Sequence, residues 1–250
     1  MSPSTTAQLL LAARRGHTQL NGRDVLPAST AHAYQVQDLT VAELGSIGGW
    51  KVGAKNATSE PTCAPLPLAG VLPSGATLTG PPWQLRGIEV EVALRLGRDL
   101  DPQGQWLSPD ELAPFFDAVL PAIEVVESRL LDRTNCDPLS QLADLQSHGA
   151  LVLGPPSPMP ATLLDLLDLS KLQAHLWFDG QPSASTLGGN PAADLWRLIA
   201  WLALHCAQRG QPLRAGQVIT TGSCTGLLSA PEGAHVEADV VGLGRVELRF

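Results

Sequence analysis

The chain has 250 residues, a formal net charge of −8, 44% hydrophobic residues and 16% charged residues. That balance suits a folded globular protein and lies far from the polar, highly charged composition of disordered chains. The negative field, with 16 Lys and Arg that form no run, argues against nucleic acid and anionic membrane surfaces as partners.

Met1 to Leu11 lacks the charged, then apolar, then small-residue order of a signal peptide. No apolar run approaches the roughly 20 residues needed to span a bilayer. Cys63, Cys136, Cys206 and Cys224 stand far apart with no CxxC pair, which reads as reduced thiols rather than a disulfide framework or zinc site. A cytoplasmic protein is expected.

In chain order, Thr5 and Thr6 are candidate caps for a helix through Leu9, Leu10 and Leu11 that stops at Gly16. A second helix is expected from Ser29 or Thr30 through Tyr34, Val36 and Leu39, and Thr40 to Glu43 has capping-box spacing for a further short turn ending at Gly45. Trp50-Lys51-Val52-Gly53 reads as a short strand, and the Pro-, Ala- and Ser-rich run from Asn56 to Gly75 as a loop or lid. From Gly87 the pattern has period two: Ile88, Val90, Val92, Leu94 and Leu96 share one strand face, and Glu89, Glu91, Ala93 and Arg95 the other.

Ser108-Pro109-Asp110-Glu111 signals a helix start, with Leu112, Phe115, Phe116 and Val119 as its apolar stripe and Pro121 after it. Ala122 to Val126 and Ala150 to Leu153 read as short buried strands, and Ala174 to Phe178 with Asp179-Gly180 as a hairpin. Asn190 and Pro191 read as the start of a helix that buries Leu195, Leu198, Ile199, Leu202 and Cys206 and stops at Gly210. Val218 to Thr221 is a further strand, and Val236 to Val240 pairs with Arg245 to Phe250 about Gly242-Leu243-Gly244. Strands that cluster without a helix between each pair predict an α+β fold.

Glu89 and Glu91, two apart on a strand, point the same way with Cα atoms roughly 6.5 to 7 Å apart. Glu124, inside the apolar run Pro121 to Val126, demands compensation for its charge. Three carboxylates without His or Cys nearby suit a hard cation such as Mg2+ or Mn2+. The same residues also fit the solvent face of a half-buried strand, with Glu124 paired to Arg129 or Arg86, and Glu127 reads as exposed and without a role. Lys51, hemmed by Trp50 and Val52, is either a proton shuttle or carboxylate anchor or a lysine reaching water from a strand edge. The loop Thr220 to Gly226 offers N–H and hydroxyl donors to an anion through residues such as Ser223 and Thr225, but no GxSxG elbow makes Ser223 a nucleophile. His148 and His175 read as satisfied structural imidazoles.

Taken in order, Gly49-Trp50-Lys51-Val52-Gly53, Ile88 to Ala93, Leu120 to Val126 with Ser128-Arg129, Leu142-Ala143-Asp144, Leu187 to Pro191, Gly210 to Gly216, Thr221-Gly222-Ser223 and the C-terminal hairpin resemble the 2-keto-4-pentenoate hydratase family, a branch of the fumarylacetoacetate hydrolase superfamily. The resemblance runs from about Tyr34 to the end, with a gap around the lid. It implies a mixed β-sandwich roll with a small helical N-terminal part: residues 1–80 as that part plus a lid, and 81–250 as a β-rich catalytic core. It implies a homo-oligomer, with association with a homologous enzyme subunit as a further option. It also implies a metal-dependent hydro-lyase of aromatic-compound degradation that holds Mg2+ or Mn2+ on Glu89, Glu91 and Glu124, uses Lys51 for proton transfer, and contacts substrate through Ser223, Thr225 and Arg129.

The implied substrate is a short unsaturated 2-hydroxy or 2-oxo acid such as 2-hydroxypenta-2,4-dienoate. Decarboxylation of 2-oxo-hex-3-enedioate, or C–C hydrolysis of an acylpyruvate, are alternatives on the same site. Two departures stand out: Leu68 in Pro67-Leu68-Ala69-Gly70, where relatives commonly carry an acid, and Leu145 after Ala143-Asp144, where they commonly carry Asn. Both point to a loss of polar groups at the substrate end, and to a further alternative, a non-catalytic hydratase-like partner subunit.

Overall fold

The structure, a computed structural model, describes residues 1–159 and 168–250. Helix α1, Pro3–Gly16, begins one turn earlier than Thr5 and Thr6 suggest: Ser2 accepts the Thr5 N–H, Pro3 opens the helix, and Thr6 is buried inside it. Helix α2, Thr30–Leu44, is capped by Ser29 through the His32 N–H and runs unbroken to Gly45, so Thr40 starts no separate turn. The two helices pack on each other. Among the described residues no helix is long and apolar enough to cross a membrane.

The strands are β1 (Ile47–Gly53), β2 (Thr62–Pro67), β3 (Val71–Pro73), β4 (Ala76–Thr77), β5 (Gly87–Leu96), β6 (Phe116–Val126), β7 (His148–Leu153), β8 (Ser157–Pro158), β9 (Gln173–Phe178), β10 (Gln181–Leu187), β11 (Val218–Thr220), β12 (Leu228–Ser229), β13 (His235–Val240) and β14 (Gly244–Arg249). Short helices α3 (Pro109–Leu112) and α4 (Pro138–Ala143) precede and follow β6, and α5 (Leu195–Gln208) precedes β11. Among the described residues one sheet has the order β2-β1-β11-β5-β6-β7-β3, with β12 on β5 and β8 on β6. A second has the order β10-β9-β13-β14-β4, and β13 and β14 pack across β5, β6 and β7. Parallel β1–β11, β3–β7 and β4–β14 pairs among antiparallel ones make both sheets mixed, which is the expected α+β, two-sheet architecture.

The alternation along β5 decides which face is core. Ile88, Val90, Val92 and Leu94 are fully buried in one cluster with Val236, Ala238, Val240 and Leu248 of the second sheet. The opposite face of β5 and β6 carries Glu89, Glu91 and Glu124 beside small buried residues, Ala93, Ala118 and Ala122.

Three segments depart from the sequence expectations. The run expected as a lid, Asn56 to Gly75, contains β2 and β3, so residues 1–80 supply strands to both sheets as well as the helical part. Pro65 and Pro67 are tolerated because β2 is an edge strand, where a missing N–H costs no pairing. Helix α3 stops at Leu112 and Phe116 and Val119 belong to β6, which runs straight through Pro121. Pro121 sits where β7 gives way to β8; its carbonyl takes the Gly154 N–H on that side, and the β5 ladder does not need its nitrogen. Finally, Asp194 rather than Asn190 caps α5, accepting the Trp196 and Arg197 N–H groups.

Candidate functional site

Strand β11 is only three residues long, and this opens the site. It bridges β1 and β5 at Lys51↔Thr220 and Thr220↔Ala93, then ends. Beyond its end, β1 continues to Gly53 and β5 reaches back through Glu91 and Glu89 with no strand among the described residues between them. The cleft is part of a cavity of about 750 Å3, lined by Lys51, Val52, Glu89, Glu91, Arg133 and Gln146 among others. Gly49 lets β1 lie this close to β11, because a Cβ there would collide with the Val218 carbonyl. At Gly222, φ of +91° turns the chain away from the sheet and aims its N–H at Glu91 Oε2, 2.9 Å away.

The β5–β6 register sets Glu89 directly opposite Glu124, and Glu91 two pairs along, opposite Ala122. One carboxylate oxygen from each of the three glutamates falls within 4.8 Å of the other two. Glu89 is half-buried, Glu91 is 1% exposed and Glu124 is fully buried. Glu124 Oε1 is hydrogen-bonded to Lys51 Nζ and lies 3.5 Å from His148 Nδ1. Its Oε2 is buried with no hydrogen-bond partner among the described residues, an acceptor aimed at nothing the protein supplies. Glu124 therefore pairs with Lys51, not with Arg129 or Arg86.

The electrostatics show a shortage of positive charge. Burial, then Glu124 and Glu89, push Glu91 well above the ordinary carboxylate range despite Lys51 and the Gly222 N–H. Glu89 is also raised, by burial and by Glu124, against the pull of Lys51 and Arg133. Burial would raise Glu124 as well, but the Lys51 charge overrides it and the pKa falls to about 2. Lys51 is pulled down by burial and pushed up by Glu124, Glu89 and Glu91; the carboxylates win, so it is an ammonium at neutral pH. His148, buried and lowered to about 4, is neutral there and is not the satisfied imidazole expected: neither ring nitrogen meets hydrogen-bond geometry with a described residue.

Other predicted residues are distributed differently. Ser223 lines the cavity, and its Oγ donates to the Gly226 carbonyl at 3.1 Å. Thr225 is absent from the cavity wall: its Oγ1 accepts the Val90 N–H and donates to Gly226, which ties the loop to β5. Arg129 does not reach the cavity either. It is buried, with Nε 2.5 Å from Asp144 Oδ1 and its Nη atoms on the His148 and Asp144 carbonyls, so every guanidinium nitrogen is engaged. Glu127 is buried rather than exposed, and its carboxylate accepts the Gln84, Leu85 and Arg86 N–H groups. Leu68 lies on a surface turn and Leu145 in the interior; neither lines the cavity, so these departures remove no polar group from its described wall.

Two contributors had weak sequence signals. Asn190 donates to the Thr221 and Gly222 carbonyls at 2.9 and 2.8 Å, which fixes the loop that holds Glu91. Leu145, Gln146 and Ser147 have φ of 48°, 51° and 59°, three consecutive non-glycine residues in the left-handed region. Such residues cost roughly 1–2 kcal/mol each, and backbone strain of this kind concentrates at functional sites. Here it sets the Gln146 carbonyl 3.3 Å from Lys51 Nζ and the Gln146 amide on Thr62 Oγ1 at 2.7 Å. A second three-donor group, His235, Glu237 and Glu247, sits outside the cavity on β13 and β14, where His235 Nε2 is already 2.7 Å from Glu247.

Residues 27–250 match the family described as fumarylacetoacetate (FAA) hydrolase C-terminal. A 2-keto-4-pentenoate hydratase of Burkholderia vietnamiensis is 30% identical over 259 residues, spanning 99% of this chain and 96% of that one. A 2-keto-4-pentenoate hydratase of Paraburkholderia xenovorans is 32% identical over 163 residues, which cover 65% of this chain but only 58% of that relative. Among solved structures, 4-oxalocrotonate decarboxylase from Pseudomonas putida G7, complexed with magnesium and adipate, superposes with a TM-score of 0.83 at 23% identity over 99% of this chain and 97% of that one.

Proposed function

This chain belongs to the fumarylacetoacetate hydrolase C-terminal family, and from that premise we propose that it is a divalent-metal-dependent hydro-lyase acting on a short unsaturated 2-hydroxy or 2-oxo acid of the 2-hydroxypenta-2,4-dienoate type. One observation carries the reading: three carboxylates converge in a sheltered cleft against the Lys51 ammonium, with a buried Glu124 oxygen left without a partner among the described residues. Buried negative charge of this kind needs a cation or protons. The ligand set, all oxygen, fits Mg2+ or Mn2+. Glu89, Glu91 and Glu124 would hold the ion. When bound, it supplies Lewis-acid polarisation to the 2-oxo and carboxylate oxygens of the acid.

The chain's own groups do the rest. Lys51 keeps a proton at the cavity floor, anchored between Glu124 Oε1 and the Gln146 carbonyl, and is the group placed to deliver it to the acid. The Gly222 N–H and Asn190 fix Glu91, so the carboxylate does not reorganise when charge develops beside it. Val52, Pro138, Leu139, Leu142 and Pro191 give the cavity apolar walls, which limit bulk water around the acid. Ser223, which lines the cavity, would offer its hydroxyl to the substrate.

A second reading, decarboxylation of a 2-oxo-enedioate, is supported by the fit to the decarboxylase fold along nearly the whole chain. Hydration of 2-hydroxypenta-2,4-dienoate and decarboxylation of 2-oxo-hex-3-enedioate, each with Mg2+ and with a chelator, test the proposal. Turnover of either acid that stops on chelation is expected; equal rates under chelation, or no turnover of either, would overturn it. Homo-oligomerisation enters this proposal on the family resemblance, and light scattering on the eluting protein tests it.

A further inference from the structure

The cavity holds a cation that the chemistry so far leaves without work. Arg133 stands on the turn between β6 and α4, half-buried, with its backbone carbonyl held by the Gln141 amide at 2.9 Å. Its Nε donates to Ser147 Oγ at 3.1 Å, which sets the plane of the guanidinium. No acceptor among the described residues takes Nη1 or Nη2, and no carboxylate pairs with it, whereas Arg95, Arg129, Arg209 and Arg214 each have an aspartate. A planar two-donor fork, fixed on one side and unused on the other, is the arrangement that receives a carboxylate.

Its position specifies which carboxylate. The acid's 2-oxo end belongs with Glu89, Glu91 and Lys51 under the proposed function, on which this inference rests. Arg133 comes from a different element, the turn that leads into α4, whose Pro138, Leu139 and Leu142 also line the cavity. Those side chains offer an apolar surface suited to a short carbon chain. At about 750 Å3 the cavity lies in the range that takes drug-sized ligands (about 300–1,000 Å3) and has more room than a five-carbon monoacid needs. We infer that Arg133 binds the far carboxylate of a dicarboxylic 2-oxo acid, so that the preferred substrate is a diacid. This shifts the weight within the proposed function from hydration of a monoacid to reaction on a diacid.

Calorimetry with Mg2+ present compares two six-carbon probes with the same 2-oxo acid head, 2-oxoadipate and 2-oxohexanoate, which differ in the terminal carboxylate. The full chain should bind the diacid about 10- to 100-fold more tightly, the gain of one charge-assisted contact. Arg133→Gln should abolish most of that preference without weakening monoacid or Mg2+ binding, and Arg133→Lys should retain part of it; melting curves check that both variants fold. Equal affinity of the unmodified protein for the two acids would overturn the inference and leave the proposed function standing. So would Arg133→Gln weakening Mg2+ or both acids alike, which would make Arg133 a counter-charge for Glu89. Binding of neither acid with Mg2+ would remove the proposed function and this inference with it.

Discussion

Replacing Glu91 by Gln separates a metal ligand from a merely buried acid, because the two roles predict opposite signs. The side chain keeps its shape and an oxygen for the Gly222 N–H, but loses one of the three charges that converge in the cleft. Glu91 is 1% exposed and its pKa is raised by burial and by two neighbouring carboxylates, so without metal the substitution relieves repulsion. The metal-free variant should melt at or above the temperature of the unmodified protein. With metal the order reverses. Loss even of an outer-shell partner weakens a metal site about 10- to 100-fold, so loss of a direct ligand should cost about 100-fold or more.

At Mg2+ or Mn2+ equal to about 100 times the dissociation constant, the unmodified protein gains about 2.7 kcal/mol, and the variant about 0.4 kcal/mol or less. For a chain of this size that is a rise of about 5–10 °C in melting temperature against about 1–2 °C. Thermal melts with and without metal at matched concentrations read both effects. A metal-dependent rise in Glu91→Gln equal to that of the unmodified protein would refute the ligand assignment.

Three further outcomes follow from the same geometry. Lys51→Met should lower turnover of the acid by about 10²- to 10⁴-fold while Mg2+ affinity at pH 8 is not weakened, since a competing positive charge has gone; steady-state rates and calorimetry measure the two separately. Metal affinity should rise with pH and then level off, because Glu91 and Glu89 have raised pKa values and bind protons that the metal must displace as pH falls; calorimetry in buffers of different ionisation enthalpy should show proton release at the acidic end. Asp144→Ala strands the buried Arg129 guanidinium and should destabilise the fold by about 3–5 kcal/mol, read as a lowered denaturant midpoint.

Part of the carboxylate cluster was legible from the chain alone. Period two along Gly87 to Leu96 sets Glu89 and Glu91 on one face, and the buried environment of Glu124 is visible in its apolar neighbours. What the pattern does not contain is register, and register is what brings Glu124 opposite Glu89. The family resemblance supplied that step. Arg129 and Thr225 were misplaced for a related reason: they adjoin matching motifs, but adjacency along the chain does not fix side-chain direction once a strand ends. Past Val126 the chain leaves the sheet and Arg129 folds back onto Asp144.

Gln146 was invisible because left-handed backbone is ordinarily signalled by Gly or Asn, and this turn holds Leu145, Gln146 and Ser147 instead. Arg133 carried no local signal, since its importance lies in lacking the carboxylate that Arg95, Arg129, Arg209 and Arg214 have. In the fold, proline was the main source of error. Pro65, Pro67 and Pro121 read as breaks, yet each sits where the sheet requires no donor from it.

The most direct test of the account is an anomalous difference map from crystals of the full chain grown with Mn2+. A peak in the cleft between β1 and β5, with oxygens of Glu89, Glu91 and Glu124 at about 2.0–2.3 Å, is the predicted result. A cleft without anomalous signal at saturating Mn2+, or a peak confined to His235, Glu237 and Glu247, would contradict it.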